Sequence, residues 1–162
     1  MYFLTSLPIN LSKYQVSNYG LAGLVESYFE TWGYESGNDM VYERRHLVTT
    51  GDVIGTLMGW LAIVPAGGGT AFNFPDYEGV LQPTRGSVAF WIDCTASHKK
   101  DPRSRHGGCP VIKGSKWILN KWIHSFDQWK HWPCGLSETD EILLFSEATD
   151  PPPPIYNFYS PI

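Results

Sequence analysis

The sequence predicts a single β-rich domain, built as an antiparallel sandwich or jelly roll. Short segments rich in β-branched and aromatic residues alternate with clusters of glycine and proline, a pattern typical of strands joined by tight turns. The 162 residues fit one domain, and a composition of 43% hydrophobic and 15% aromatic residues is sufficient for a packed core. Helix signals are weak, and the best of them is a short piece near the amino end.

The predicted strands follow one another along most of the chain, over residues 14–18, 53–63, 88–92 and 116–123. Turns are predicted between them, over residues 65–69, 75–79, 83–86 and 105–110. The end of the chain, DPPPPIYNFYSPI, predicts an extended proline-rich tail. We therefore divide the chain into a domain over residues 1–140 and a tail over residues 141–162.

Charge and hydropathy exclude some classes of partner and some kinds of targeting segment. The net charge is −4 and the basic residues form only short clusters, so we expect no nucleic-acid partner. No apolar run approaches the roughly 20 residues that cross a bilayer, so we expect no membrane span. The opening MYFLTSLPI lacks the basic and apolar regions of a secretory signal. Either the chain is intracellular, or its true beginning lies upstream of Met1.

The three cysteines cannot all pair within the chain. A disulfide bond between Cys109 and Cys134 would close a loop around the strand at 116–123 and would indicate an oxidising compartment. Free buried thiols are the alternative, and the residues alone leave both open. A zinc site is conceivable from ligand types, but no paired Cys-x2-Cys unit supports it; its ligands would be Cys94, His98, His106 and Cys109.

The segment RHGGCPVIKGSKWILNKW places His106 and Lys116 ten residues apart across a short apolar run. A lysine inside an apolar run points either to water or to an anion. The histidine either binds a metal or hydrogen-bonds the backbone of its turn. If the two residues serve one site, His106 holds a metal while Lys116 neutralises a substrate carboxylate.

Five stretches then carry a resemblance to a known family. They occur in the order YQVSNYG, GGGTAF, PTRGSVAFW, RHGGCPVIKGSKWILNKWIH and WPC, between Tyr14 and Cys134. Together they resemble the catalytic domain of the prolyl 4-hydroxylase α subunit, one of the iron(II) and 2-oxoglutarate-dependent dioxygenases. The resemblance implies a double-stranded β-helix, or jelly roll, with short flanking helices. It also implies that early strands and helices of that domain are missing from this chain.

The resemblance implies roles for individual residues. His106 matches the distal iron-binding histidine of the family, and Trp91 would edge the pocket. The residues that match the 2-oxoglutarate ligands are Lys116, Thr70 and Tyr19. The cysteine pair that the family bonds matches Cys109 and Cys134. Taken singly, Tyr19, Thr70 and Trp91 would be expected to serve packing instead.

The sequence differs from the family at the residues that would bind the metal. Where the family has His-x-Asp, this chain has Tyr28-Phe29-Glu30. The strand period of two still places residues 28 and 30 on one face. A non-haem iron(II) oxygenase uses two imidazoles and one carboxylate, whereas Tyr28 offers a phenol and Glu30 a longer carboxylate. We expect iron(II) to bind weakly, with His106 and Glu30 as ligands; His46, from a loop, is a candidate replacement.

Three functions follow as hypotheses. The first is procollagen-type proline 4-hydroxylation of a proline-containing or collagen-like peptide, with iron(II), dioxygen, 2-oxoglutarate and ascorbate. The second is an inactive family member that serves as a binding or assembly subunit. The third is a lectin-like or cupin-like β-sandwich with only a fold-level likeness. The resemblance also implies the endoplasmic reticulum lumen and protein disulfide isomerase as a partner. A fragment and an incomplete gene model remain alternatives for the chain itself.

Overall fold

The fold consists almost entirely of short antiparallel strands. The computed structural model describes residues 13–31, 49–73, 78–126, 128 and 132–140. Within these ranges a single 3-10 turn occurs, at Pro102–Ser104. The strands in chain order are β1 Gln15–Tyr19, β2 Val25–Tyr28, β3 Val53–Trp60, β4 Ala66–Gly67, β5 Thr70–Asn73, β6 Glu78–Leu81, β7 Val88–Ile92, β8 His106–Gly108, β9 Val111–Lys113 and β10 Lys116–His124.

Two four-stranded sheets form the body of the domain. One has the order β1-β10-β3-β7 and the other the order β2-β8-β5-β6, while β4 and β9 form a separate pair. Every strand pairing in them is antiparallel. Neighbours in the sheets are far apart in the chain, as β10 and β3 are, and this non-local order is typical of a jelly roll. The predicted fold class is confirmed.

The strands predicted from the sequence are present with small shifts at their ends. β7 has the predicted bounds, and β1, β3 and β10 differ from them by one to three residues. The turn predicted over residues 105–110 is wrong in part, because His106–Gly108 is a strand. Two glycines make this possible: a Cβ on Gly107 would lie 2.9 Å from the Val25 carbonyl oxygen. Without side chains there, β2 and β8 can pair closely.

Two groups of buried apolar side chains make up the core on either side of the β3 backbone. One group packs with Phe90 and Ile92 and consists of Ile54, Cys94, Ile123 and Trp132. The other packs with Tyr19, Leu81, Ala89 and Trp91 and consists of Met58, Trp60 and Ile118. Alternate residues of β7 pack with different groups, Phe90 and Ile92 with one and Ala89 and Trp91 with the other, so the two groups lie on opposite faces of this sheet. Ile54 lies an even number of residues from Met58 and Trp60, and the register shift between β3 and β10 at this point turns it to the other face.

A glycine substitution tests the close approach of β4 to β9. Gly67 has φ +76°, and a Cβ there would lie 2.2 Å from the Pro110 carbonyl oxygen. We expect Gly67→Ala to lower the free energy of unfolding by about 1–3 kcal/mol, from backbone strain and the clash. Urea unfolding followed by circular dichroism measures this. Gly20→Ala is the matched control, since nothing lies within 4 Å of a Cβ there; an equal loss in both variants would contradict the argument.

Some predictions fall on residues outside the described ranges. These are the proline-rich tail over residues 141–162, the short helix near the amino end, and His46. For the part of the chain that is described, no helix is long and apolar enough to cross a membrane.

Candidate functional site

A pocket between the two four-stranded sheets gathers the candidate residues. Side chains from β1, β3, β7 and β10 line it on one side and residues of β2, β5 and β8 on the other. The sequence candidates that line it are Tyr19, Tyr28, Glu30, Thr70, Trp91, His106, Cys109 and Lys116. Residues as distant in the chain as Tyr19 and Lys116 meet here because β1 pairs with β10 and sets them opposite each other.

His106 lies buried at the start of β8 with its ring fixed by one hydrogen bond. Its Nδ1 lies 2.7 Å from the Ser104 carbonyl oxygen, which can only accept, so Nδ1 carries the proton. Nε2 then faces the pocket, 3.9 Å from Glu30 Oε1. Burial lowers the pKa of His106, against the opposing effects of the Ser104 bond and of Glu30. The imidazole is therefore neutral at neutral pH and presents a lone pair at Nε2.

Tyr28 and Glu30 are bonded to each other beside His106. β2 ends at Tyr28, so Glu30 lies just beyond the strand, yet both side chains line the pocket. The Tyr28 hydroxyl donates a short hydrogen bond to Glu30 Oε1. Burial, together with the Glu30 carboxylate, raises the pKa of the Tyr28 phenol. Tyr28 is thus a protonated donor, and it occupies the same Glu30 oxygen that is nearest to His106.

These three side chains do not fit an iron(II) centre. Such a centre needs two imidazoles and one carboxylate. The pocket offers one imidazole, a carboxylate that accepts a hydrogen bond from the Tyr28 hydroxyl, and a neutral phenol. Across the described ranges, no group of three histidine, cysteine, aspartate or glutamate side chains could hold a metal ion. The weak iron(II) binding expected from the sequence stays a prediction.

Lys116 stands at the opposite side of the pocket as a buried cation. Its Nζ donates to the Thr70 hydroxyl at 3.2 Å and to the Gly69 carbonyl at 3.3 Å. The Tyr19 ring centroid lies 5.7 Å from Nζ. No carboxylate is paired with Lys116 among the ion pairs of the described residues. A buried ammonium with only neutral partners, beside a hydroxyl, is suited to receive a carboxylate from a ligand.

The charge on Lys116 predicts how carboxylate binding depends on pH. Burial lowers the pKa of Lys116 to about 8, so the ammonium is charged at neutral pH. A bound carboxylate raises that pKa, so affinity for a carboxylate ligand, with 2-oxoglutarate as the trial ligand, is expected to be full below about pH 8 and to fall roughly tenfold per pH unit above it. Isothermal titration calorimetry across this range measures the change. An affinity that stays constant through it would contradict a role for the ammonium.

The cysteine predictions need correction. Cys94, Cys109 and Cys134 are all free, so the disulfide bond expected between Cys109 and Cys134 is not formed in this structure. Cys109 lines the pocket and its amide bonds to Gly69, whereas Cys134 is exposed and precedes Gly135, whose amide bonds to Ala96. The two thiols are held against different parts of the domain.

The zinc site considered from ligand types is wrong. Cys94 is fully buried in the core against Trp132, and His98 also packs on Trp132 at 5.6 Å between ring centroids. His106 and Cys109 instead line the pocket between the sheets. No metal-binding group of three such side chains occurs in the described part of the chain.

Sequence reasoning missed Asp93, which is fully buried directly after β7. Its carboxyl oxygens accept hydrogen bonds from the Thr56 hydroxyl at 2.7 Å and the Trp91 indole at 2.9 Å. Burial raises its pKa well above the ordinary value, although both hydrogen bonds oppose that shift. The signal in the sequence was an acidic residue directly after the apolar run VAFWI. An acidic side chain at such a position is seldom buried unless it is hydrogen-bonded or paired.

Comparisons with known proteins identify the architecture to which this fold belongs. The domain superimposes on the viral collagen prolyl hydroxylase of Paramecium Bursaria Chlorella virus-1, in its 2-oxoglutarate complex, with a TM-score of 0.51. The two are 21% identical, and the match covers 69% of this chain and 60% of the viral one. The architecture is therefore that of the prolyl hydroxylases. No protein-family model matches the chain.

Curated relatives give the same answer at the level of sequence. The chain is 36% identical over 138 residues to prolyl 4-hydroxylase subunit alpha-1 of Homo sapiens and 33% identical over 142 residues to subunit alpha-2 of Gallus gallus. Each match covers 85% of this chain and 24% of the relative, so the chain spans about a quarter of the length of these relatives. It is a homologue of prolyl 4-hydroxylase α subunits, and the resemblance read from the sequence is confirmed.

Proposed function

We propose that this chain is a 2-oxoglutarate-binding domain of the peptidyl-proline 4-hydroxylase type, in which Lys116 receives the far carboxylate of 2-oxoglutarate. Thr70 would orient that carboxylate through its hydroxyl, and Tyr19 would close the same side of the pocket. The observation that carries the proposal is the buried Lys116 ammonium, bonded only to neutral groups at 3.2 and 3.3 Å. The viral structural neighbour that was solved as a 2-oxoglutarate complex supports the choice of ligand.

Homology supports proline hydroxylation as the activity of the protein to which the domain belongs. The curated relatives are α subunits of prolyl 4-hydroxylase, and the viral neighbour is a collagen prolyl hydroxylase. We propose a proline-containing or collagen-like peptide as the acceptor. The same likeness leads us to propose iron(II) and ascorbate as cofactors. It also leads us to propose protein disulfide isomerase as a partner and the endoplasmic reticulum lumen as the compartment.

One observation favours a second candidate, a family member that binds without oxidising. The hydrogen bond between Tyr28 and Glu30 occupies the oxygen that would otherwise meet a metal beside His106. The relatives favour the hydroxylase, since they are named as subunits of hydroxylases. Both candidates use the same carboxylate-binding side of the pocket, so they differ only at the metal.

An anaerobic titration separates the two candidates. The purified chain is titrated with 2-oxoglutarate alone and then with iron(II), following binding heat and the visible charge-transfer band of an iron–2-oxoglutarate chelate. Saturable binding of 2-oxoglutarate is the expected result, and its absence in a folded chain would overturn the proposal. A saturable band, followed by hydroxylation of a proline-rich peptide, would support the hydroxylase; binding without a band would support the second candidate.

A further inference from the structure

Asp93 holds the Trp91 indole in one place. The carboxyl is fully buried, and a buried carboxyl is unfavourable unless its oxygens are hydrogen-bonded. Oδ1 accepts from Trp91 Nε1 at 2.9 Å, while Oδ2 accepts from the Thr56 hydroxyl at 2.7 Å. Thr56 and Trp91 are register partners on adjacent strands, so Asp93 ties the two strands together beneath the pocket.

The fixed indole in turn packs on His106. The two ring centroids lie 4.8 Å apart with an interplanar angle of 68°, an edge-to-face contact. Tyr28 and Phe72 also contact the imidazole, at 5.1 and 5.4 Å between centroids. Of these three rings, Trp91 is the one that is hydrogen-bonded to a fully buried carboxyl. We therefore take the Trp91 indole as the contact that most restricts rotation of the His106 ring.

The main chain of Asp93 reaches His106 by a second route. The Asp93 carbonyl oxygen accepts from the Ser104 hydroxyl at 3.1 Å and from the Asp101 amide at 3.3 Å. These bonds fix the Pro102–Ser104 turn, whose last carbonyl accepts the proton of His106 Nδ1 at 2.7 Å. The side chain of Asp93 therefore acts on the ring packing of His106, and its main-chain carbonyl acts on the turn that fixes the tautomer. A substitution at position 93 removes only the side-chain route.

We propose that Asp93 is a positioning residue for His106, acting through the Trp91 indole and the Pro102–Ser104 turn to keep Nε2 directed into the pocket. The proposal deepens the proposed function and rests on it only in taking the pocket that His106 lines as the binding site. The hydrogen bonds, and not a negative charge, carry the effect. Asparagine at position 93 can accept from Trp91 and donate to the Thr56 oxygen, so it is the conservative replacement.

Nitrogen-15 NMR of the histidine rings tests this directly, because the ring shifts report which nitrogen carries the proton. His106 signals are assigned by their loss in His106→Gln. The wild-type chain is expected to show one dominant tautomer, with the proton on Nδ1, and Asp93→Asn is expected to keep it. Asp93→Leu keeps the main-chain route and frees the Trp91 indole, so it is expected to give a measurable population of the second tautomer. Ile123→Val, which removes one methylene from the neighbouring core, is the control and should keep the native pattern.

An unchanged His106 spectrum in folded Asp93→Leu would overturn the proposal, and so would an equal disturbance in Asp93→Asn. If Asp93→Leu does not fold, Trp91→Phe supplies the second test, since it removes the indole donor and leaves an aromatic ring. A native tautomer in Trp91→Phe would then overturn the proposal. The NMR experiment needs no 2-oxoglutarate, so it tests this inference alone. The proposed function is tested separately, by the titration with 2-oxoglutarate.

Discussion

Replacing Lys116 by alanine is expected to weaken 2-oxoglutarate binding by about 30-fold or more. A carboxylate that enters the pocket exchanges water for a buried ammonium and a hydroxyl, and loss of one partner of a buried charged pair costs about 2–5 kcal/mol. The ammonium is well placed for this role, since it is 3% exposed and its bonds go to Thr70 and Gly69. Isothermal titration calorimetry at neutral pH measures the loss.

Two further variants separate the loss of charge from the loss of packing. Lys116→Met keeps most of the buried stem and removes the ammonium, so it should lose binding as Lys116→Ala does. Lys113→Ala removes an exposed lysine from β9 and should leave affinity unchanged. Native affinity in Lys116→Met, in a chain shown to be folded, would remove Lys116 from the binding site.

The double variant Tyr28→His with Glu30→Asp is expected to create strong iron(II) binding. The change supplies a second imidazole beside His106 Nε2 and frees a carboxylate from the Tyr28 hydroxyl. Together with His106 it gives two imidazoles and one carboxylate, the set that non-haem iron(II) uses. We expect affinity to rise by more than roughly 100-fold, because even residues behind the metal ligands are worth about 10–100-fold. Anaerobic titration calorimetry with iron(II) measures it.

Tyr28→Phe is the matched control for this double variant. It frees Glu30 from its hydrogen bond and adds no ligand, so a gain limited to the double variant shows that the second imidazole matters. A gain of the same size in Tyr28→Phe would show instead that the Tyr28–Glu30 bond alone blocks the metal. If the double variant is folded and binds no iron(II), the geometry of β2 no longer permits the site.

The fold class was predictable because the local signals agreed with the final structure. The β-branched and aromatic segments became β1, β3, β7 and β10 with ends shifted by at most three residues. Short strands in glycine-rich stretches were not predictable. His106–Gly108 looks like a turn in sequence, and it is a strand because the bare glycine backbone lets β2 approach. The pairing partner lies about 80 positions earlier in the chain, beyond the range of local patterns.

The sequence by itself determined which chemical groups this pocket contains. It supplied a histidine and a lysine ten residues apart, and a tyrosine and a glutamate where the resemblance places a histidine and an aspartate. Only the tertiary structure decided how these groups are used, because strand pairing brings distant residues together. It placed the Tyr28 hydroxyl where it donates a hydrogen bond to Glu30, left the Lys116 ammonium with neutral partners, and placed the unsuspected Asp93 behind Trp91. Hydrogen bonds depend on positions that neighbouring residues in the chain do not specify.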